Sequence, residues 1–293
     1  MKPAPFIYHA PETVHEAIAL LAGSDDEAKV LAGGQSLIPI LNMRLAQPSA
    51  LVDICTVAGL DGIESNGQLT VGATARQSDV LRSEVVREFA PIIPAALRWV
   101  GHAANRNQGT FGGSVAHADP AAELPTVLLA LDADMVVDGP GGQRVVPAED
   151  FFTSVFTTAL ARDELLTAVR IPRRSSGTGV AWSFREVARR HGDFALAGVA
   201  LVADLDAEGV VSGARIALCG VATRPVRARD AEEYLVGLRL GDAAVGREAG
   251  ALAAAGVNPS DDGHASGLYR KEAVAALVAR AVSEGASRAE VNR

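Results

Sequence analysis

Two glycine-bearing segments about eighty residues apart constrain this chain more than anything else in its sequence: Ala32-Gly33-Gly34-Gln35-Ser36 and Thr110-Phe111-Gly112-Gly113-Ser114. Each sets adjacent glycines beside a small hydroxyl residue and an apolar stretch. Adjacent glycines let a backbone turn through positive φ. Successive N–H groups turned inward then form a nest for phosphate oxygens, to which a Ser or Thr hydroxyl adds a donor. One such segment is an ordinary turn. Two of the same design predict two walls around one pyrophosphate.

Composition narrows what those walls serve. A chain of 293 residues is long enough for two or three domains with buried cores. With 48% apolar residues and no low-complexity segment, it reads as a soluble globular protein. A net charge of −8 disfavours a nucleic-acid surface, which needs clustered Lys and Arg. The short cluster Arg224, Arg227, Arg229 is interleaved with Asp230, Glu232 and Glu233 and reads as a solvated helix start. Met1-Lys2-Pro3-Ala4-Pro5 lacks the apolar core of a signal peptide, and no run approaches the roughly eighteen apolar residues of a membrane span. Cys55 and Cys219 are isolated in apolar sequence. They exclude a four-Cys iron–sulfur cluster or a Cys-rich zinc site on this chain, and read as buried thiols suited to a reducing cytoplasm. Neither Gly-x-Gly-x-x-Gly nor Gly-x-x-x-x-Gly-Lys-Ser/Thr occurs, so the Rossmann and P-loop readings lose their main support.

Along the chain, Thr13-Val14-His15-Glu16 is a capping-box pattern opening a short amphipathic helix to Gly23. Residues 29–32 form a strand into the first glycine turn, 37–45 a helix beyond it, and 51–54 another strand. This β–turn–α arrangement sets the turn at a helix N-terminus, where an anion is favoured. A second unit starts near residue 57. It has a strand at 68–73, a mostly helical stretch at 77–100 interrupted by Pro91 and Pro94, a helix at 121–131, and strands at 135–138, 144–147 and 165–171. Mixed helices and strands without a strict βαβ rhythm indicate an α+β fold. Pro172-Arg173-Arg174-Ser175-Ser176-Gly177 reads as a linker. Beyond it, three long alternating strands (179–188, 195–205, 210–221) precede three helices (228–237, 242–255, 267–284). The expected domains are 1–56, 57–174 and 178–288.

Lys29-Val30-Leu31-Ala32-Gly33-Gly34-Gln35-Ser36-Leu37, with Asn107-Gln108-Gly109-Thr110-Phe111-Gly112-Gly113-Ser114-Val115-Ala116-His117-Ala118-Asp119-Pro120, resembles the FAD-binding medium subunit of molybdenum hydroxylases. That family includes the flavoprotein subunits of carbon monoxide, xanthine and nicotine dehydrogenases. Gln35 stands where His is familiar in the carbon monoxide enzymes, and Glu123 where Asp is common. The resemblance implies a flavin-binding domain of the vanillyl-alcohol-oxidase (PCMH) type in two subdomains. A C-terminal domain of a three-stranded antiparallel sheet and a helical bundle would follow. It assigns FAD contacts to Ala32, Gly33, Gly34, Gln35, Ser36, Leu37, Gly109, Thr110, Gly112, Gly113, Ser114, Ala116, Asp119, Glu123, Leu166, Arg185 and Phe194. It implies no catalytic and no metal-binding residue on this chain. Molybdenum-pterin would sit on a large partner subunit and a 2Fe–2S cluster on a small one, in a dimer of heterotrimers. Electrons would pass from the cluster to FAD here and on to a terminal acceptor. Neither glycine segment holds a His, Cys or Tyr for covalent attachment, so FAD is expected to be non-covalent.

Two stretches keep alternative readings. His117-Ala118-Asp119 suggests a dyad or metal pair, but no third ligand stands at a recognisable spacing. Asp119 either accepts from a flavin donor or, with Pro120, caps the helix near Ala121. The connection Phe184–Leu196 either covers the flavin ring, with Phe194 over it and Arg185 stabilising charge on the reduced form, or is a solvated hairpin. His9, His15, His102 and His264 have no partnership visible in sequence. A self-contained flavoenzyme and a non-catalytic scaffold remain as other function classes. The Ala-rich C-terminal third advertises no catalytic constellation for the former.

Overall fold

The computed structural model describes residues 2–24, 28–173 and 179–291. Of the linker expected at Pro172–Gly177, residues 174–177 lie outside them.

The first unit is built from β1 (Ile7–His9), α1 (Val14–Ala22), β2 (Ala28–Leu31), α2 (Leu37–Asn42) and β3 (Ala50–Asp53). The strands lie in the order β1-β3-β2, all parallel. Helix α1 starts where expected: the Thr13 hydroxyl accepts from the Glu16 amide at 3.2 Å, and the Glu16 carboxylate accepts from the Glu12 amide at 2.9 Å. Its Ala17 and Leu21 bury against Val52, Ile54 and Leu165. Because the strands are parallel, the segments leaving β2 and β3 emerge at one end of the sheet, the end where open α/β sheets hold ligands. Cys55, expected to be buried, is half-buried just past β3.

The second unit adds β4 (Ile63–Ser65), β5 (Gln68–Gly72), α3 (Gln77–Arg82), α4 (Glu84–Phe89), α5 (Ile92–Leu97), α6 (Ala103–Gln108), α7 (Phe111–His117) and α8 (Glu123–Ala130). It continues with β6 (Asp134–Gly139), β7 (Gly142–Pro147), α9 (Ala148–Phe151), β8 (Phe152–Ser154), β9 (Thr157–Thr158) and β10 (Leu165–Pro172). Its main sheet is antiparallel in the order β4-β5-β10-β6-β7. The stretch 77–100 is three short helices. Ser83 ends one and caps the next, accepting from the Val86 amide, and Pro91 begins the third. Pro94 sits in the first turn of α5, where no intrahelical donor is needed. All of α8 is buried, so it forms the spine of the largest core cluster.

The third unit has β11 (Gly179–Val187), β12 (Ala197–Leu205), β13 (Val211–Cys219), β14 (Val226–Arg227), α10 (Arg229–Leu235), α11 (Ala243–Ala255) and α12 (Gly267–Val291). The expected three antiparallel strands gain a two-residue fourth, β14, paired to Ala217 and Leu218. Strand β12 is apolar on both faces because the sheet is covered twice. Val199 and Leu201 pack with Val274 and Val278 of α12, while Ala200 and Val202 join the core of the second unit. The expected solvated start at Arg224–Glu233 is in part an interlock. The Arg227 side chain is 8% exposed, bonded to Glu232 at 2.5 Å and to Asp132 of the second unit at 3.0 Å. Glu232 also accepts from the Ile216 amide at 2.7 Å. A charge pair this enclosed is costly to break from one side, because the remaining partner stays buried.

Helices α11 and α12 approach closely through Gly246 and Gly250. A Cβ on Gly250 would overlap the Ala275 carbonyl oxygen and lie 3.1 Å from its carbon. Gly250→Val should therefore lower unfolding stability by roughly 1–3 kcal/mol. Gly141→Ala, with nothing within 4 Å of the added carbon, should stay within about 0.5 kcal/mol. Urea unfolding of both variants measures the difference, and equal midpoints would contradict the packing argument.

Candidate functional site

The two glycine segments touch. A Cβ on Gly33 would lie 2.7 Å from the Gly109 Cα and 2.8 Å from the Thr110 nitrogen, and closer still to the Gln108 carbonyl. Only a residue without a side chain permits that approach. Gln35 ties the segments further: its carboxamide oxygen accepts from Asn105 of α6 at 3.1 Å, and its nitrogen donates to the Gly33 carbonyl at 3.1 Å. Gln35 thus has a structural role of its own. Arg76 bonds the Gln108 carbonyl from the α3 side.

The segments differ in conformation, and here the expectation needs correction. Gly34 has φ +70, as a turn requires. No hydrogen-bond partner exists among the described residues for the amides of Gly33, Gly34, Gln35, Ser36 and Leu37. That is a nest with its donors free. Gly112 and Gly113, by contrast, lie inside α7 with no positive φ. Thr110, 2% exposed, caps that helix by accepting from the Gly113 amide at 3.1 Å. The Phe111 and Gly112 amides donate to the carbonyls of Ala75 and Ala73 at 2.8 and 2.9 Å. Gly112 is glycine because a Cβ would fall 2.6 Å from the Ala73 Cα, and Gly113 because one would fall 2.5 Å from the capping Thr110 Oγ1 and 3.3 Å from the Ala32 Cβ. The second segment is a thin wall with its amides used internally; the nest belongs to the first.

Helix α7 leads from this wall to a corner. Ala118 is left-handed (φ 51), and the Asp119 carboxylate accepts from the Ala121 amide at 2.8 Å. That makes a turn just before α8, whose N-cap is Ala122. His117 rests on Phe156, ring centres 4.9 Å apart, and burial lowers its pKa. Among the described residues, no group of three His, Cys, Asp or Glu could hold a metal ion. At the corner the Gly220 amide donates to the Pro120 carbonyl at 2.9 Å. Arg270 of α12 bonds the carbonyls of Leu196 and Gly220 at 2.6 and 2.8 Å. The second and third units are thereby joined at one seam.

The remaining expected contacts are spread around that seam. Ala116 and Ser114 are half-buried on α7. Phe194 is 66% exposed on the β11–β12 connection, which leans on the second unit where His191 stacks on Trp99 at 5.7 Å. Arg185 points the other way, its guanidinium 2.7 Å from Glu284 of α12. Leu166 is 3% exposed in the large core, at the bulge of β10. The loops and α7 are brought together, Asp119 and Glu123 follow at the corner, and Leu166 and Arg185 are held in other surroundings.

Two carboxyls close the bottom of the seam. Glu123, in the first turn of α8, and Glu186, on the inward face of β11, are each 7% exposed. Burial raises Glu123 to about 7. Burial, then the neighbouring Glu123, raises Glu186 to about 9. Neither carboxyl oxygen of Glu186 has a hydrogen-bond partner. The sequence reading passed over Glu186, yet strand alternation carries the signal, since Phe184 and Glu186 share the face that packs on the second unit.

With this geometry in place, comparison with known proteins identifies the family. The model for the FAD binding domain in molybdopterin dehydrogenase matches residues 4–174, and that for the CO dehydrogenase flavoprotein C-terminal domain matches residues 182–285. The 6-hydroxypseudooxynicotine dehydrogenase complex subunit alpha of Paenarthrobacter nicotinovorans is 39% identical, over 99% of this chain and 97% of the relative. Among solved structures, quinoline 2-oxidoreductase from Pseudomonas putida 86 superposes with a TM-score of 0.93 at 39% identity, covering 99% of both chains. Carbon monoxide dehydrogenase from Hydrogenophaga pseudoflava gives 0.94 at 36% identity, covering 99% of this chain and 100% of that one. This chain belongs to the FAD-binding medium subunits of molybdenum-hydroxylase-type oxidoreductases, with the PCMH-type flavin fold that defines them. Among its described residues, no helix is long and apolar enough to cross a membrane.

The raised Glu186 carboxyl has a stability consequence whose sign is fixed. A carboxyl held above its unfolded value of 4.5 stabilises fully below that value and loses its contribution as pH rises toward about 9. Each pH unit within that window costs up to about 1.4 kcal/mol. Glu186→Gln should therefore match the wild type near pH 4.5 and be increasingly more stable up to pH 9. Thermal unfolding across that range tests it, and parallel curves would contradict the assignment.

Proposed function

We propose that this chain carries non-covalent FAD as the electron-transfer subunit of a multi-subunit molybdenum hydroxylase. It receives electrons from a small 2Fe–2S subunit and delivers them to a terminal acceptor, while a large molybdenum-pterin subunit oxidises the substrate. A dimer of heterotrimers is the expected assembly, without nucleic acid. The observation that carries the reading is the nest at Gly33–Leu37, five amides without a partner in the described chain. It is clamped against the wall at Gly109–Ser114. These residues fit a pyrophosphate, since a run of free amides around a positive-φ glycine is what a dianion needs. FAD supplies the redox chemistry when bound. The chain supplies the nest, a wall thin enough for close approach, Ser114 and Ala116 along α7, and Asp119 and Glu123 at its far corner. We propose Phe194 as an outer cover. Leu166 and Arg185 serve behind the site, as core packing and through the Glu284 pair. The corresponding domain division is 1–56, 57–174 and 178–288.

Substrate identity belongs to the partner subunit in this reading. The near-full-length likenesses differ by only three points of identity between a quinoline enzyme and a carbon monoxide enzyme. The shared part is therefore the flavin scaffold and not a substrate pocket.

Three outcomes test the proposal. The purified chain should be yellow and release FAD, not FMN, into an acid supernatant. Alone, it should reduce no dye with N-heterocycles, aldehydes or carbon monoxide. Gly34→Val should weaken FAD binding by at least about tenfold, because a β-branched residue at φ +70 costs roughly 1–3 kcal/mol and disorders the nest. Gly112→Val is the poorer probe, since its side chain would strike the Ala73 backbone and unsettle the fold. Gly141→Ala serves as the control. Titration of FAD into the apo variants, with circular dichroism for folding, reads the result. Near-native affinity in a folded Gly34→Val chain would place the phosphate elsewhere.

A further inference from the structure

The nest and the buried carboxyl pair lie at opposite ends of α7. Its seven residues span about 10 Å at 1.5 Å per residue, a length comparable to the five-carbon ribityl chain between pyrophosphate and flavin ring. A flavin anchored by the nest and laid along α7 would bring its ring end to the corner where Asp119, Glu123 and the β11–β12 connection meet. Glu186 stands behind that corner. Its carboxyl is enclosed and has no hydrogen-bond partner among the described residues, and Gly198 opposite it on β12 leaves the space taken by the Cys219 sulfur, 2.5 Å from where a Cβ would stand. The charged groups acting there are all acidic or neutral: Glu123 from α8, Asp119 from the corner, and the fully buried Cys219 thiol at the end of β13. No cation appears among the groups acting on either carboxyl. Arg185, next in sequence, is turned to Glu284 on the far face.

We propose that Glu186 and Glu123 form a proton-holding pair behind the ring end of the flavin site, positioning groups that keep the protein neutral there and take up a proton when the bound flavin gains electrons. This rests on the FAD reading above. The physical reason is that a buried carboxylate without a cation is expensive, and added negative charge on a nearby flavin makes it more so. For each two electrons the flavin gains from a reductant, one proton from solvent forms an O–H bond on an ionised carboxylate of the pair. The same proton leaves on reoxidation. Burial places the two titrations near 7 and 9, so the uptake falls between neutral and mildly alkaline pH and belongs to the pair jointly.

The test is the midpoint potential of the FAD-loaded chain from pH 5.5 to 10, measured with dithionite and equilibrating dyes. One extra proton per two electrons steepens the slope by about 30 mV per pH unit. The wild type should show this added slope from about pH 7 upward, carried by Glu123 up to about pH 9 and by Glu186 above it, so Glu186→Gln and Glu186→Met should lose the part between about pH 9 and 10. Met, of similar length and without polar atoms, keeps the test valid should Gln fold poorly. Two readouts besides the potential accompany it. FAD content should be unchanged in both variants. The reduced-minus-oxidised infrared spectrum should lose a protonated-carboxyl band. Equal slopes in wild type and in flavin-replete variants would overturn the pair's role while leaving FAD binding intact. A wild-type chain that takes up no FAD would overturn the FAD reading and this inference with it.

Discussion

The site depends on one backbone contact, the approach of Gly33 to Gln108, Gly109 and Thr110. It joins the first parallel sheet to the helical layer of the second unit, at the place where the two families of hydrogen bonds differ most. On one side the amides are left over; on the other they are used. The used ones hold the wall rigid, through the Phe111 and Gly112 bonds to Ala75 and Ala73. Rigidity there is what allows the nest to keep its shape, since a phosphate gains from donors that need no rearrangement. Gln35 and Asn105 brace the contact from outside.

The second and third units are welded in a different way. Apolar residues of β11, β12 and β13 enter the same core as α8, and Arg227 with Asp132 and Glu232 closes the flank. This makes the sheet of the third unit a shared wall and not a loosely tethered cap. The β11–β12 connection rests on the second unit by the His191–Trp99 stack. Gly192, at φ +88, lies tight against the Gly101 carbonyl. The exposed Phe194 sits on that connection.

Much of this was readable in the sequence, for identifiable reasons. The long strands of the third unit and the helices after them announce themselves by alternation and by Ala–Leu periodicity, and each lies within a few residues of its expected place except at the end of α12, which runs to Val291 and not 284. The two glycine segments meet as expected. What could not be read is whatever depends on a distant partner. β1 is three residues whose only regular pairing is to Ala50–Val52. Helix α6 is polar and short, held by its place between Trp99 and the wall. Gly112 and Gly113 look like a turn but are helical, because the need for glycine comes from Ala73 and the Thr110 cap pressing on them and not from their own φ. Alternation puts Glu186 on the Phe184 face, but that this face is covered by the second unit depends on a distant partner.

The two ends of α7 carry opposite electrostatic demands, and together they argue for a particular kind of cofactor. Among the described residues, five amides at one end lack acceptors, and at the other two carboxyls are buried without a cation acting on them. A fold that met only its own requirements would not leave the Glu186 carboxyl so, since buried polar groups are nearly always paired, while the amides lie at a partly exposed turn open to a ligand. The first end favours strong negative charge and the second excludes it. A ligand meeting both must be anionic at one terminus and neutral at the other, with a spacer of about one short helix between. Pyrophosphate, ribityl chain and flavin ring have that polarity. Binding such a ligand stabilises the folded state by mass action, so the least self-satisfied stretch of the chain is also the one whose stability the cofactor should raise most.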